Sequence, residues 1–294
     1  MCDLNQSCII LNKPSGISSN NALSKVKKKL NQKKAGFSGT LDPLASGLLI
    51  IFLNKATKLC SSFLNSDKSY KAIIRLGMTS TTGDIDGEII EKFPVPRLNK
   101  INLKEIEKKF TGSIKQTPPM YSALKHKGMR LYEYARKGIE VDRPARNIEI
   151  YEISLNLYDE KNLSVEVNCS KGTYIRTLAE QIGEEIGCGG LISELHRTKI
   201  GDIDISKSVD LESFLLSTKK EILDKYIINV DLLLKNIPSC QLLENDAKKI
   251  INGNKVKINK NASKIVKMYN NCNMFIGIGE INDNFELLPK KILL

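Results

Sequence analysis

Apolar positions along this chain fall in short runs divided by polar turns, and their spacing switches between two residues and about 3.6, so strands and helices are both predicted. Residues 8–12 make an apolar run that ends in Lys13, Pro14, Ser15 and Gly16, a strand followed by turn chemistry. Leu23, Val26 and Leu30 then recur at helical spacing behind a cap at Ser18 or Ser19, with Lys25, Lys27, Lys28 and Lys29 on the opposite side. Residues 35–47 read as a loop, with glycines at 36, 39 and 47 and a proline at 43, and the apolar run 48–53 that leaves it reads as a buried strand. A helix is expected over 57–64, a strand over 70–76, a polar loop over 77–87 and a further strand from Glu88.

Residues 103–110 form an amphipathic pattern, and paired prolines at 118 and 119 end regular structure. Two strands, 148–157 and 163–169, flank a turn, after which Ile175, Leu178, Ile182 and Ile186 mark a helix ended by Gly187. Residues 211–234 are helical or irregular. From Ser239 onward, short apolar pieces (256–258, 264–268, 275–281, 285–288) separated by Asn, Asp and Gly predict a small β-rich unit. At 294 residues the chain suits one large domain and one small one, and Pro238 marks the boundary: 1–235 and 236–294.

No run is long or apolar enough to cross a bilayer, and the amino terminus lacks the basic, apolar and small-residue order of a secretory signal, so a cytoplasmic protein is expected. Seven cysteines, Cys2 among them, lie scattered without a C-x-x-C pair, which suits reduced thiols. His126 and His196 are too few for a site with several imidazole ligands, so no metal is assigned. A formal charge of +12 has two readings: a polyanionic partner, with nucleic acid first, or lysine-rich composition spread over solvated surface. Residues 121–146 sharpen the first reading, because Lys125, Lys127, Arg130, Arg136, Lys137, Arg143 and Arg146 mix there with Tyr121, Tyr132 and Tyr134. An RNA-gripping insertion and a short surface helix over 131–137 both fit that blend.

The chemistry concentrates in Gly36-Phe37-Ser38-Gly39-Thr40-Leu41-Asp42-Pro43-Leu44-Ala45-Ser46-Gly47. Glycines there let backbone approach a ligand, and Pro43 turns Asp42 away from helical dihedrals. Spacing alone also allows a plain turn aspartate bonded to its own backbone. The stretch resembles the catalytic signature of the TruB family of pseudouridine synthases, and Asp42 occupies the position of that family's catalytic aspartate. Further segments resemble the family in order: Lys13-Pro14 with Gly16 and Ser18-Ser19-Asn20, Asp67-Lys68 with Tyr70, Met120 to Lys125 at the start of its RNA-gripping insertion, and Ser170 to Leu178.

The resemblance implies an α/β (α+β) pseudouridine synthase fold on a mixed, largely antiparallel sheet, an insertion at about 120–147, and a small PUA-like RNA-binding domain at the carboxyl end. It also implies isomerisation of uridine 55 in the T-loop of tRNA through a covalent Asp42 intermediate on a flipped-out nucleotide, with neither metal nor cofactor. Arg176 is the cation implied beside Asp42, able to hold its carboxylate bidentately. Tyr70 and Tyr174 match tyrosines of the uracil pocket, where one ring stacks on the base and assists loss of the carbon 5 proton; Leu195 matches a leucine against the base. Phe37 stands where the family has a histidine that holds the flipped region, which leaves stacking but removes a hydrogen bond. The basic insertion argues for a stand-alone enzyme working on the T-arm without a guide or protein partner, and a monomer is taken by default.

Overall fold

The computed structural model describes residues 4–258 and 264–294, so Cys2 lies outside the described residues. The chain opens with β1 (Ser7–Lys13), whose apolar residues are buried, then α1 (Ser19–Leu30). Ser18 caps that helix by accepting from the Asn21 amide, and Ala22, Val26 and Leu30 form its buried face. β2 (Ala35–Ser38) and β3 (Ser46–Leu53) follow, separated by the Asp42 loop. After α2 (Cys60–Leu64) come β4 (Lys68–Leu76), the short pair β5 (Met78–Ser80) and β6 (Ile89–Lys92), and α3 (Lys100–Phe110), capped by Asn99.

β7 (Gly112–Gln116) leads to the 120–147 segment, which holds a two-residue hairpin, β8 (Lys125–His126) and β9 (Met129–Arg130), then α4 (Leu131–Ala135). The hairpin turns through Lys127 and Gly128, both at positive φ (47° and 87°), the paired left-handed conformation of a tight hairpin. The long hairpin β10 (Arg146–Leu157) and β11 (Asn162–Cys169) runs into α5 (Ile175–Ile186). β12 (Gly190–Ile200), β13 (Ile203–Asp204), β14 (Val209–Asp210), α6 (Leu211–Leu216), α7 (Lys219–Glu221) and β15 (Ile228–Asn229) complete the first body.

Eleven of these strands make one mixed sheet in the order β14-β1-β3-β12-β4-β11-β10-β7, with β2 on β3, β13 on β12 and β15 on β1. Pairing is antiparallel except at β1–β14 and β3–β12. The parallel seam is short: His196 faces Ser46 and Arg197 faces Gly47. It joins two half-sheets, each with its own core, one under α3 and α5 and the other around β1 and β3 with α1 and α6. The loop bearing Asp42 enters β3 at this seam.

A second, five-stranded sheet follows: β16 (Ser239–Gln241), β17 (Val256–Lys257), β18 (Ile265–Tyr269), β19 (Phe275–Ile281) and β20 (Glu286–Ile292), in the order β16-β18-β19-β20-β17, with α8 (Glu244–Ile251) upon it. It has its own core of Ile250, Val266, Met268, Ile276 and Leu287. Its Phe275, Ile278 and Leu293 share another core with Cys8, Ile10, Leu48 and Phe52 of the first sheet. The Tyr269 hydroxyl donates to Asp231 at 2.8 Å and Lys58 Nζ to the Ile292 carbonyl at 2.6 Å, so apolar burial and polar bonds together join the sheets.

Three segments depart from the sequence-based expectation. The supposed loop 35–47 begins with β2, because Ala35 to Ser38 pair with Leu53 to Ile50 despite the glycine. The supposed polar loop 77–87 contains β5. No strand was expected over 190–200, yet β12 is central, with β3 on one side and β4 on the other. Two register shifts, at Ile192/Glu194 and Arg197/Lys199, break the alternation by which such a strand would be read.

Among the described residues no helix is long and apolar enough to cross a membrane, and no disulfide forms.

Candidate active site

The loop between β2 and β3 is pinned from outside by the turn between β1 and α1. Ser19 Oγ accepts from the Leu41 amide at 2.8 Å and donates to the Leu41 carbonyl at 3.0 Å. The Gly16 amide donates to the Pro43 carbonyl at 2.8 Å and Ser15 Oγ to the Leu44 carbonyl at 2.7 Å. Residues on both flanks of Asp42 are therefore held, while its own side chain, 38% exposed, reaches solvent. Gly47 closes the loop at φ +108°, where a β-carbon would stand 2.3 Å from the Arg197 carbonyl oxygen, so no other residue fits.

Arg176, in the first turn of α5 and 5% exposed, places Nε 2.9 Å from Asp42 Oδ2. Its other nitrogens are engaged elsewhere: Nη1 donates to the Thr82 carbonyl and Nη2 to the Tyr121 carbonyl, both at 2.7 Å. The bidentate grip that the resemblance allowed gives way to an ion pair through Nε, with two backbone anchors holding the other nitrogens. Asp84 stands 3.8 Å from Nη1 and accepts from Thr82 Oγ1 at 2.6 Å, so the guanidinium lies between two carboxylates. Burial pushes the Asp42 carboxyl above its ordinary range and Arg176 pulls it back, with the Asp84 charge adding a smaller upward push.

Glu180, one turn after Arg176, is pushed up to about 7, mainly by burial and against the pull of Arg176, with Glu184 and Asp84 adding to the rise. Lys13, fully buried, donates Nζ to the carbonyls of Pro14 and Ile17 at 2.8 and 2.7 Å. Burial brings it down to about 8, while the Asp42 charge acts the other way. A second buried cation, Arg197, is 1% exposed and donates Nε to the Leu48 carbonyl and Nη2 to the Gly39 carbonyl, both at 2.9 Å.

Tyr70 is buried on β4 directly across from Arg197, with Asp42 near enough to act on its hydroxyl electrostatically; burial holds that hydroxyl above the usual phenol range. Leu195, also on β12, is buried in one cluster with Tyr70 and Leu41. Tyr174 immediately precedes α5, and its peptide is held by Gln116, which accepts from the Tyr174 amide at 2.9 Å. Arg146 lies over its ring at 5.2 Å. Asp42, Arg176, Tyr70 and Leu195 thus gather at the seam, with Tyr174 two residues before Arg176. Phe37 lies apart from that cluster, half-buried against the α1 face of the other core.

In the 120–147 segment, Arg130 and Arg136 flank the Tyr132 ring at 5.9 and 5.5 Å, and Arg143 Nη1 donates to the Pro118 carbonyl at 3.2 Å. The result is an exposed cationic, aromatic surface anchored at its base.

Residues 27–175 match the TruB family pseudouridylate synthase (N terminal domain), 176–235 the tRNA pseudouridylate synthase B C-terminal domain, and 238–293 the pseudouridine synthase II TruB, C-terminal, unit. The chain belongs to the TruB family of pseudouridylate synthases. It is 42% identical over 285 residues to tRNA pseudouridine synthase B of Hydrogenovibrio crunogenus, covering 97% of this chain and 92% of that one. With the protein of the same name from Nitrosococcus oceani it shares 41% over 288 residues, at 97% and 94% coverage. Among solved structures, the chain in a Cbf5-Nop10-Gar1 complex aligns with a TM-score of 0.73 over 99% of this chain and 86% of that one, at 21% identity, and so shares the fold.

The TruB resemblance brought Asp42, Arg176, Tyr70, Tyr174 and Leu195 forward, whereas Arg197, Asp84 and Glu180 emerge only from the coordinates. Had a strand been read over 190–200, Arg197 would have stood out as a charge two residues beyond Leu195 on one face.

Proposed function

We propose that this TruB family member converts uridine 55 in the T-loop of tRNA to pseudouridine, with Asp42 as the nucleophile. The observation that carries this reading is the Asp42 carboxylate, open to solvent on a pinned loop and held 2.9 Å from the Arg176 guanidinium. Isomerisation breaks the bond from uracil nitrogen 1 to the ribose anomeric carbon and joins that carbon to carbon 5. The proton at carbon 5 leaves, and nitrogen 1 gains one. A carboxylate serves by forming a covalent bond and leaving again, with no redox change. Its neighbour must keep it charged as burial favours the neutral acid, which is the work the Arg176 contact performs.

A uridine stacked in an RNA loop cannot offer its sugar to Asp42, so the nucleotide turns out of its stack into the cleft beside Tyr70, Tyr174 and Leu195. In that cleft Tyr70 is the group that assists loss of the carbon 5 proton. Residues 1–235 act as the catalytic domain. The 120–147 insertion, with its Arg130, Tyr132 and Arg136 stack, grips the T-arm, and residues 236–294 add a second RNA-binding unit. The protein works as a cytoplasmic monomer without a guide RNA.

The test is incubation of the purified chain with unmodified tRNA and, separately, with a bare T-arm stem-loop. Carbodiimide labelling and mass spectrometry then locate any isomerised uridine. Conversion at the single T-loop position in both substrates is expected. Conversion only when a guide RNA is supplied, or none at all, refutes the reading.

A further inference from the structure

Arg197 is a fully buried cation, and among the described residues no carboxylate lies within ion-pairing distance of it. Such a charge needs compensation from fixed dipoles. Two are backbone carbonyls, Leu48 at the start of the apolar part of β3 and Gly39 at the entry to the Asp42 loop. The third group is the Tyr70 side chain, directly across the strand pair from Arg197, close enough for the guanidinium charge to act on its phenol.

The sheet register explains how one side chain serves all three. Arg197 is the cross-strand partner of Gly47 on the parallel side and of Tyr70 on the antiparallel side. Gly47 lets β3 approach the Arg197 backbone, and Gly39 leaves its guanidinium room, since a β-carbon there would stand 3.2 Å from Nη1. Leu195, two residues earlier, lies on the same face of the strand.

Resting on the proposed isomerisation, we infer that Arg197 is a positioning residue for that reaction: its fork fixes the Tyr70 hydroxyl relative to the Asp42 loop. Without it the phenol O–H would lose the cation that orients it, and the entry to the loop at Gly39 would lose its anchor. The planar guanidinium suits this task because its donors point in fixed directions, which an ammonium cannot reproduce. Its charge also steadies the phenol oxygen as electron density gathers on it.

Arg197→Met, alone and combined with Tyr70→Phe, tests the link through kcat and KM on a T-arm stem-loop. The single variant should lose at least about tenfold in kcat with KM held within about threefold. In the Tyr70→Phe background the same change should cost less than about threefold, because the group it positions is gone. A substrate-free readout accompanies these: near-ultraviolet difference absorbance against Tyr70→Phe follows ionisation of the Tyr70 phenol, which should shift to higher pH once the cation is removed. Equal losses in both backgrounds, a loss confined to KM, or an unmoved phenol titration overturns the inference. Arg197→Gln, which also removes the charge but keeps polar groups for the Leu48 and Gly39 carbonyls, enters the same cycle and titration should the Met variant not fold. An inactive native chain would defeat the proposed function instead, and the titration alone would then decide the Arg197–Tyr70 contact.

Discussion

Arg176 Nε meets Asp42 Oδ2 at 2.9 Å although the two side chains start from opposite half-sheets, one from the helix after β11 and the other from the loop before β3. The contact spans the parallel seam, so the carboxylate and its counter-charge are brought together only when the two halves fold as one.

Asp42→Asn removes the charge of the proposed nucleophile while keeping its shape. Conversion of uridine should fall at least about a thousandfold, with tRNA affinity held within a few-fold. Single-turnover assays beside filter binding check both. A variant that retains substantial conversion would reassign the nucleophile.

Arg176→Gln keeps length but removes the charge flanked by Asp42 and Asp84. Breaking such a pair costs about 3 kcal/mol, which a denaturant midpoint would register, and kcat should fall at least about a hundredfold. Because burial already holds the Asp42 carboxyl above its ordinary value and Arg176 opposes that rise, the acid limb of the rate profile should move to higher pH in this variant. Activity should be lost as pH falls through the folded value, since the proposed nucleophile must be ionised. An unmoved limb would detach the guanidinium from the titration.

Glu180 supplies a separate pH test. Its folded value of about 7 exceeds its ordinary 4.5, so between those limits the folded protein binds more protons than the unfolded one and stability falls as pH rises. Glu180→Gln should therefore melt a few degrees higher than the parent at pH 8 and nearly match it at pH 5. Equal melting differences at the two pH values would contradict this.

Gly47→Ala forces a β-carbon to within 2.3 Å of the Arg197 carbonyl at a φ of +108°. A loss of at least about 2 kcal/mol is expected, together with reduced kcat, because the seam carries the Asp42 loop.

Arg136→Ala removes one face of the stack on Tyr132. Affinity for tRNA should weaken several-fold and the slope of log affinity against log salt should shrink by about one, with kcat at saturating tRNA unchanged. A salt slope identical to the parent would place this arginine outside the RNA contact.

How much of this was legible in the chain depends on what each element needed. β1, α1, β3, the β10–β11 hairpin and α5 follow from apolar spacing, caps and turn residues: the helices and the hairpin bury one face, β1 and β3 are apolar throughout, and local rules suffice. β12 was illegible for the opposite reason: it lies in mid-sheet, carries a buried arginine, and is broken by two register shifts. At the site, Asp42 and Arg176 were found by resemblance, and spacing alone left Asp42 a plain turn residue. Their pairing through Nε alone was hidden because the carbonyls that take the other guanidinium nitrogens, Thr82 and Tyr121, lie 94 and 55 residues away in sequence.

The turn from Ser15 to Ser19 grips the Asp42 loop on both sides of the carboxylate in the free protein. Since the enzyme side of the encounter is already rigid, adaptation falls to the incoming nucleic acid. Turnover should then track how easily a given RNA loop opens, so that a transcript with a weakened elbow is processed faster than one whose elbow is fully locked.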